Sequence, residues 1–122
     1  MKVLLSIKPE YVSRIVSGEK KFEYRKKIFR KKVEKIVIYS SFPEKRVIGE
    51  FEIGNIISDE INSLWNMTSD FSGISEKYFR EYFSNNDIGY AIEIKSLLIY
   101  DSPQKLSELN IGRAPQSFMY IN

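Results

Sequence analysis

Residues 18–25 read GEKKFEYR, and the conformation of these eight positions decides what the rest of the chain builds. Before them, Tyr11, Val12, Ile15 and Val16 fall at helical spacing behind Pro9. Pro suits the first turn of a helix, and Gly18 is placed to end that helix in a left-handed residue. From Lys20 to Lys27 the pattern reads as a strand, followed by a charged turn around Phe29 to Lys32. In an extended strand Glu23 and Arg25 project from one face, about 7 Å apart. Lys20 has the opposite parity and joins them only if a turn or bulge intervenes near Gly18 and Glu19. Two readings stand: a surface ion pair worth under ~1 kcal/mol, or two groups that jointly read the polar edge of a ligand.

Outward from this stretch, Met1 to Ile7 alternates Val3, Leu5 and Ile7 against Lys2 and Ser6, with Leu4 blurring the pattern of a first strand. Lys35 to Ser40 is a strongly apolar strand. Arg46 to Ile57 alternates, with Val47, Gly49, Phe51 and Ile53 on one side and Ile48, Glu50 and Glu52 on the other. Two helices are expected: Asp59 to Met67, capped by Ser58 or Asp59, and Ser75 to Phe83. Their aromatic residues, Trp65 and the Tyr78–Phe83 cluster, read as core. A long strand from Tyr90 to Tyr100 ends at Ser102 and Pro103, a helical turn covers Gln104 to Leu109, and a last strand covers Gln116 to Ile121. Strands follow one another without a crossover rhythm. That predicts an α+β fold, a small mostly antiparallel sheet or barrel with short helices packed at its ends.

Composition narrows the chemistry. The 122 residues suit a single domain spanning 1–122 and one core. There are no cysteines and no histidines, so thiol and imidazole catalysis and the usual zinc sites are excluded, and neither a metal nor a cofactor is expected. The lack of cysteine fits a cytoplasmic location. No apolar run approaches the roughly 20 residues of a membrane span, so no membrane partner is expected. The net charge is only +3, but residues 19–46 hold eleven Lys or Arg against four Glu. A local excess of that kind concentrates polyanions at one surface.

Gly18, Lys20, Glu23 and Arg25 spell G-x-K-x-x-E-x-R. The chain thereby resembles the ASCH family, small domains of the PUA-like barrel superfamily, whose layout of a first strand, a short helix ending in the motif glycine and then barrel strands matches residues 1–57. The resemblance implies a PUA-like barrel with an RNA- or nucleotide-binding cleft beside the motif and a regulatory role in transcription or translation. Some bacterial members are amidohydrolases acting on N4-acylated cytidines. There the motif lysine acts with a threonine, where this chain has Glu23, and with a separate glutamate. The hydroxyl nucleophile is therefore missing here, and an enzyme of this type would have to work with Lys20, Glu23 and a second carboxylate, Glu52 or Glu50.

Candidate site residues follow from both lines of reading. Ionised, Glu23 accepts hydrogen bonds as the exocyclic amine or ring N–H of a base requires. With Lys20 and Arg25 it forms the expected centre of a ligand site. Lys8 ends the first strand nearby. Tyr39 and Ser40, with Ser41, end another strand and offer hydroxyls and an aromatic platform. Gln116 and Ser117 are polar residues near the barrel end. Lys26, Lys27, Arg30, Lys31 and Lys32 are expected to hold phosphates. The expected partner is a nucleic acid, with RNA favoured, or a nucleotide, with hydrolysis of modified nucleosides or of RNA as the alternative. Oligomeric state is open.

Overall fold

The computed structural model describes residues 1–122, and its order of elements is the one expected. They are β1 (Lys2–Ile7), α1 (Pro9–Ser17), β2 (Phe22–Arg25), β3 (Lys35–Ser40), β4 (Arg46–Glu60), α2 (Ile61–Thr68), α3 (Glu76–Tyr82), β5 (Ile88–Gln104) and β6 (Phe118–Ile121). Single 3₁₀ turns occupy Ser69–Phe71 and Leu106–Leu109. Pro9 opens α1, and Gly18 closes it at φ 88°, with its N–H on the carbonyl of Ile15. A left-handed residue at this point satisfies the last carbonyls and turns the chain back.

The strands form one sheet in the order β2-β5-β4-β3-β1-β6. Every neighbouring pair is antiparallel except β1 with β3. β2 and β6 are the two edges, yet Arg25 of β2 bonds Ser117, just before β6, and the carbonyl of Ser6 in β1. The sheet has therefore curled until its edges face each other. The α+β half-barrel so formed, with three short helices against it, is the PUA-like fold expected from the sequence.

Several boundaries differ from the sequence reading, and β2 is shorter at both ends than the expected 20–27. β4 runs on to Glu60 and β5 begins at Ile88, because these ends pair with each other (Glu60 with Ile88). Glu60, rather than Ser58 or Asp59, then caps α2, its carboxylate accepting from the N–H groups of Asn62 and Ser63. β5 also passes through Ser102 and Pro103 to Gln104, where the ladder with β4 has shifted register; a proline is tolerated where no ladder hydrogen bond is asked of it. β6 starts two residues late, leaving Gln116 and Ser117 in the loop before it.

The simple alternation expected along β4 fails for a physical reason. Register shifts fall between Val47 and Gly49, Glu50 and Glu52, and Ile53 and Ile56. Each bulge turns the side chains that follow. Ile48 and Phe51 thus share the main core with Val3, Leu5, Ile36 and Ile38 beneath α1. Val47 packs instead with Leu4, Val37 and Tyr39 on the opposite face, under the 106–121 segment. This is why Leu4 blurs the first strand: the sheet is buried on both sides there. A third cluster joins Tyr24 and Ala91 to Leu64 of α2, Phe79 of α3 and Phe83 just after α3. Each fully buried apolar side chain of these clusters contributes about 1.5–3 kcal/mol. No helix is long and apolar enough to cross a membrane.

Candidate functional site

The motif residues are set by the turn that Gly18 starts. The N–H of Lys20 bonds the carbonyl of Arg14, and that of Lys21 the carbonyl of Phe71. Lys20 thus stands before β2 begins, free of strand parity, and its ammonium reaches the face from which Glu23 and Arg25 project. Lys20 is 2% exposed, Glu23 7% and Arg25 9%. Glu23 takes a hydrogen bond of 2.7 Å from Arg25 and lies 3.6 Å from the Lys20 ammonium. This is a buried three-residue ion network, not the surface pair that one reading of the sequence allowed.

The remaining donors are placed as firmly. Lys20 donates to the carbonyl of Ser72 at 2.9 Å and stands 4.8 Å above the Tyr24 ring. Arg14 holds the same loop by donating to the carbonyl of Gly73. Gly73 has φ +66°, and a side chain on it would overlap the stem of Lys20. Arg25 spans the seam of the sheet, donating to the Ser6 carbonyl and the Ser117 hydroxyl. Its Nε is buried without a protein partner. Burial pushes the Lys20 amine below the usual lysine range, opposed by Glu23 and assisted by Arg25 and Arg14.

Lys20, Glu23 and Arg25 line a cavity of about 690 Å³, a size that holds a nucleotide-scale ligand. Of the expected ligand-binding residues, the structure brings Lys8, Lys20, Glu23, Arg25, Tyr39, Gln116 and Ser117 to its walls, together with Lys26 and Lys27. Six cations and one acid, Glu23, line it. The 115–117 strap is fixed to β1, since Ser6 donates its hydroxyl to the Pro115 carbonyl and its N–H to the Ser117 carbonyl.

Other expected residues lie elsewhere. Ser40 is fully buried with its hydroxyl unpartnered, because it faces the inside of the sheet; Ser41 takes the place at the cleft. Glu52 is exposed beside Val33, Glu34 and Lys35, away from Lys20, because the β4 bulge before it turns it outward. Arg30, Lys31 and Lys32 are exposed on the turn beyond β2 and do not line the cleft. The N–H groups of Arg30 and Lys31 are instead bonded by the Tyr120 hydroxyl. No group of three or more His, Cys, Asp or Glu is gathered to hold a metal ion.

The sequence reading missed a tyrosine wall. Tyr11 of α1 and Tyr78 and Tyr82 of α3 line the cleft, Tyr11 and Tyr82 also packing against the apolar clusters beneath them. Tyr11 and Tyr78 have ring centroids 5.2 Å apart, and Tyr78 stacks on Tyr82 at 6.3 Å. Lys8 stands over Tyr78 and Lys26 over Tyr82. The available signal was residue type: within α3, Phe79 is buried while the tyrosines, with a polar tip, keep the half-wet face. Burial, then the neighbouring Tyr78, pushes Tyr11 up to about 12, so it holds its proton at neutral pH.

Comparison with known proteins agrees with this architecture. The model of the ASCH domain matches residues 5–97. The crystal structure of the ASCH protein from Zymomonas mobilis superposes with a TM-score of 0.90 over 99% of this chain and 87% of that one, at 28% identity. An ASCH domain-containing ribonuclease of the same organism is 33% identical over 85 residues, 69% of this chain and 57% of that protein. The large ribosomal subunit protein uL22 of Ureaplasma parvum is 33% identical over 90 residues. The chain spans only 29% of that protein's length.

Proposed function

The chain belongs to the ASCH domain family, and on that premise we propose that it is an RNA- or nucleotide-binding module. The observation that carries this reading is the cavity, lined by six cations, a single carboxylate and a tyrosine wall. Glu23 is the acceptor for a base N–H or exocyclic amine, Arg25 and Lys20 are the donors beside it, and the tyrosines supply flat surface for the base. Lys26 and Lys27 hold phosphates at the mouth, and Arg30, Lys31 and Lys32 extend the positive surface beyond it. In this division phosphate contacts supply affinity and the cleft supplies selectivity. A regulatory role and a cytoplasmic location belong to the same proposal.

The test is fluorescence anisotropy with labelled RNAs over a salt series. Lys26→Glu with Lys27→Glu is expected to weaken binding to all RNAs and to flatten the salt dependence. Glu23→Gln, checked for folding by circular dichroism, is expected to change base preference. Equal effects of the two changes on every RNA, or no binding by the unaltered chain, would refute the reading.

Hydrolysis of RNA is a second reading, supported by the relative named a ribonuclease and by the lowered basicity of Lys20. Without histidine, Lys20 and Glu23 are the groups available for proton transfer. Incubating labelled RNA with the chain and with Lys20→Met decides it; intact RNA in both samples ends the idea. An N4-acylcytidine amidohydrolase has less support. It lacks the threonine at position 23, and Glu52 does not line the cleft.

A further inference from the structure

We propose that Phe42 and Lys45 form a subsite for a second nucleobase on the lip of the cleft, so that the preferred ligand is an oligonucleotide rather than a mononucleotide. This rests on the nucleic-acid reading above and extends it to a surface outside the motif.

Phe42 is 75% exposed and lines the cavity. No other strongly exposed large apolar side chain does so; Val16, Met67, Phe71, Ile88, Leu98 and Ile99 all lie elsewhere. A lone ring is too small an apolar surface for a protein interface, which needs a contiguous patch of several hundred Å². It matches the face of one base. The ring is carried on a turn rather than a loose loop. The N–H of Ser41 bonds the carbonyl of Ile7, and the N–H groups of Glu44 and Lys45 bond the carbonyl of Ser41.

Charge points to the same occupant. Lys45 adopts a left-handed conformation at φ 52°, and its ammonium stands 5.5 Å from the Phe42 ring. Lys8 lies on the cleft wall over Tyr78. A base held at Glu23 and Arg25, and a neighbouring base stacked on Phe42, would carry the intervening phosphate past these cations. Stacking platforms interleaved with lysine are the usual means of holding unpaired strands.

The experiment measures equilibrium binding of the four nucleoside 5′-monophosphates and of single-stranded RNA hexamers. It compares the full chain with Phe42→Ala, Phe42→Trp and Lys45→Gln. The hexamer is expected to bind tighter than any mononucleotide. Phe42→Ala should weaken the hexamer roughly tenfold and leave the mononucleotides unchanged, while Phe42→Trp keeps hexamer affinity. Lys45→Gln should lower the salt slope for the hexamer. If Phe42→Ala leaves the hexamer unaffected, or weakens both ligands equally, the subsite is refuted while the nucleic-acid reading stands. If the unaltered chain binds neither ligand, the nucleic-acid reading fails and the subsite with it.

Discussion

Glu23 and Glu50 are buried to nearly the same extent, 7% and 8% exposed, and each touches two cations. Glu23 sits between Lys20 and Arg25, whose side chains are 2% and 11% exposed. Glu50 sits between Lys2 and Lys35, each 41% exposed, and also accepts a hydrogen bond of 2.8 Å from Tyr100. The Glu50 cations can turn into water if the carboxylate is lost. Those of Glu23 have no such exit. Moreover, the Glu23 cluster faces a cavity and keeps a donor, Arg25 Nε, unused, whereas Glu50 is wholly engaged by its neighbours. On the function proposed above, the first arrangement holds charge ready for a ligand; the second ties strands together.

Mutations can break this comparison, beginning with the largest effect. Glu23→Ala leaves two buried cations uncompensated and should cost about 3–5 kcal/mol, read from urea unfolding. A loss as small as that of a surface pair would mean that the cluster is wetter than its burial indicates. Gly73→Ala comes next, at about 2–3 kcal/mol, because a side chain there meets the Lys20 stem in a left-handed residue. Restoration of stability by pairing it with Lys20→Ala would confirm that Lys20 is what it strikes.

Glu50→Gln should cost only about 1 kcal/mol, with a distinct pH signature. Burial raises the Glu50 carboxyl, but Tyr100, Lys35 and Lys2 outweigh it and hold the group below the ordinary range. The stability it adds is therefore present above the unfolded value of ~4.3 and lost as pH falls through its lower folded value. Unfolding curves of the two proteins should converge under acid; a gap that persists there refutes this account. Smallest of all, Lys31→Glu with Lys32→Glu should leave stability within ~0.5 kcal/mol. It should weaken RNA binding less than reversal at Lys26 and Lys27, since only the latter pair lines the cleft. The opposite ranking in anisotropy would move the phosphate path onto the outer turn.

Much of this was legible in the chain. The helix from Pro9 to Gly18, the order of the elements and the shared face of Glu23 and Arg25 follow from local patterns, because capping, turn chemistry and strand parity act over a few residues. Parity sets Lys20 apart, and only the motif's resemblance grouped it with them. The bulged β4 and its consequences were not legible. Ile48 and Phe51 sharing a core, and Glu52 turned away, depend on register against β5, a partner some forty residues distant. Tyr78 and Tyr82 have the spacing of core residues, and only the docking of α3 beside α1 makes them a cleft wall.

By itself, the sequence determined the ionic elements of the site, since Lys20, Glu23 and Arg25 lie within residues 18–25. The turn that lets Lys20 join the other two is instead held by the carbonyls of Arg14 and Phe71. Tertiary structure alone decided that the ion network is buried and that it borders a cavity. Curling the sheet brings its edge strands together, so Arg25 closes on Ser6 and Ser117 across the seam. Burial is a property of that closure: it removes water from charges whose neighbours in sequence would leave them exposed.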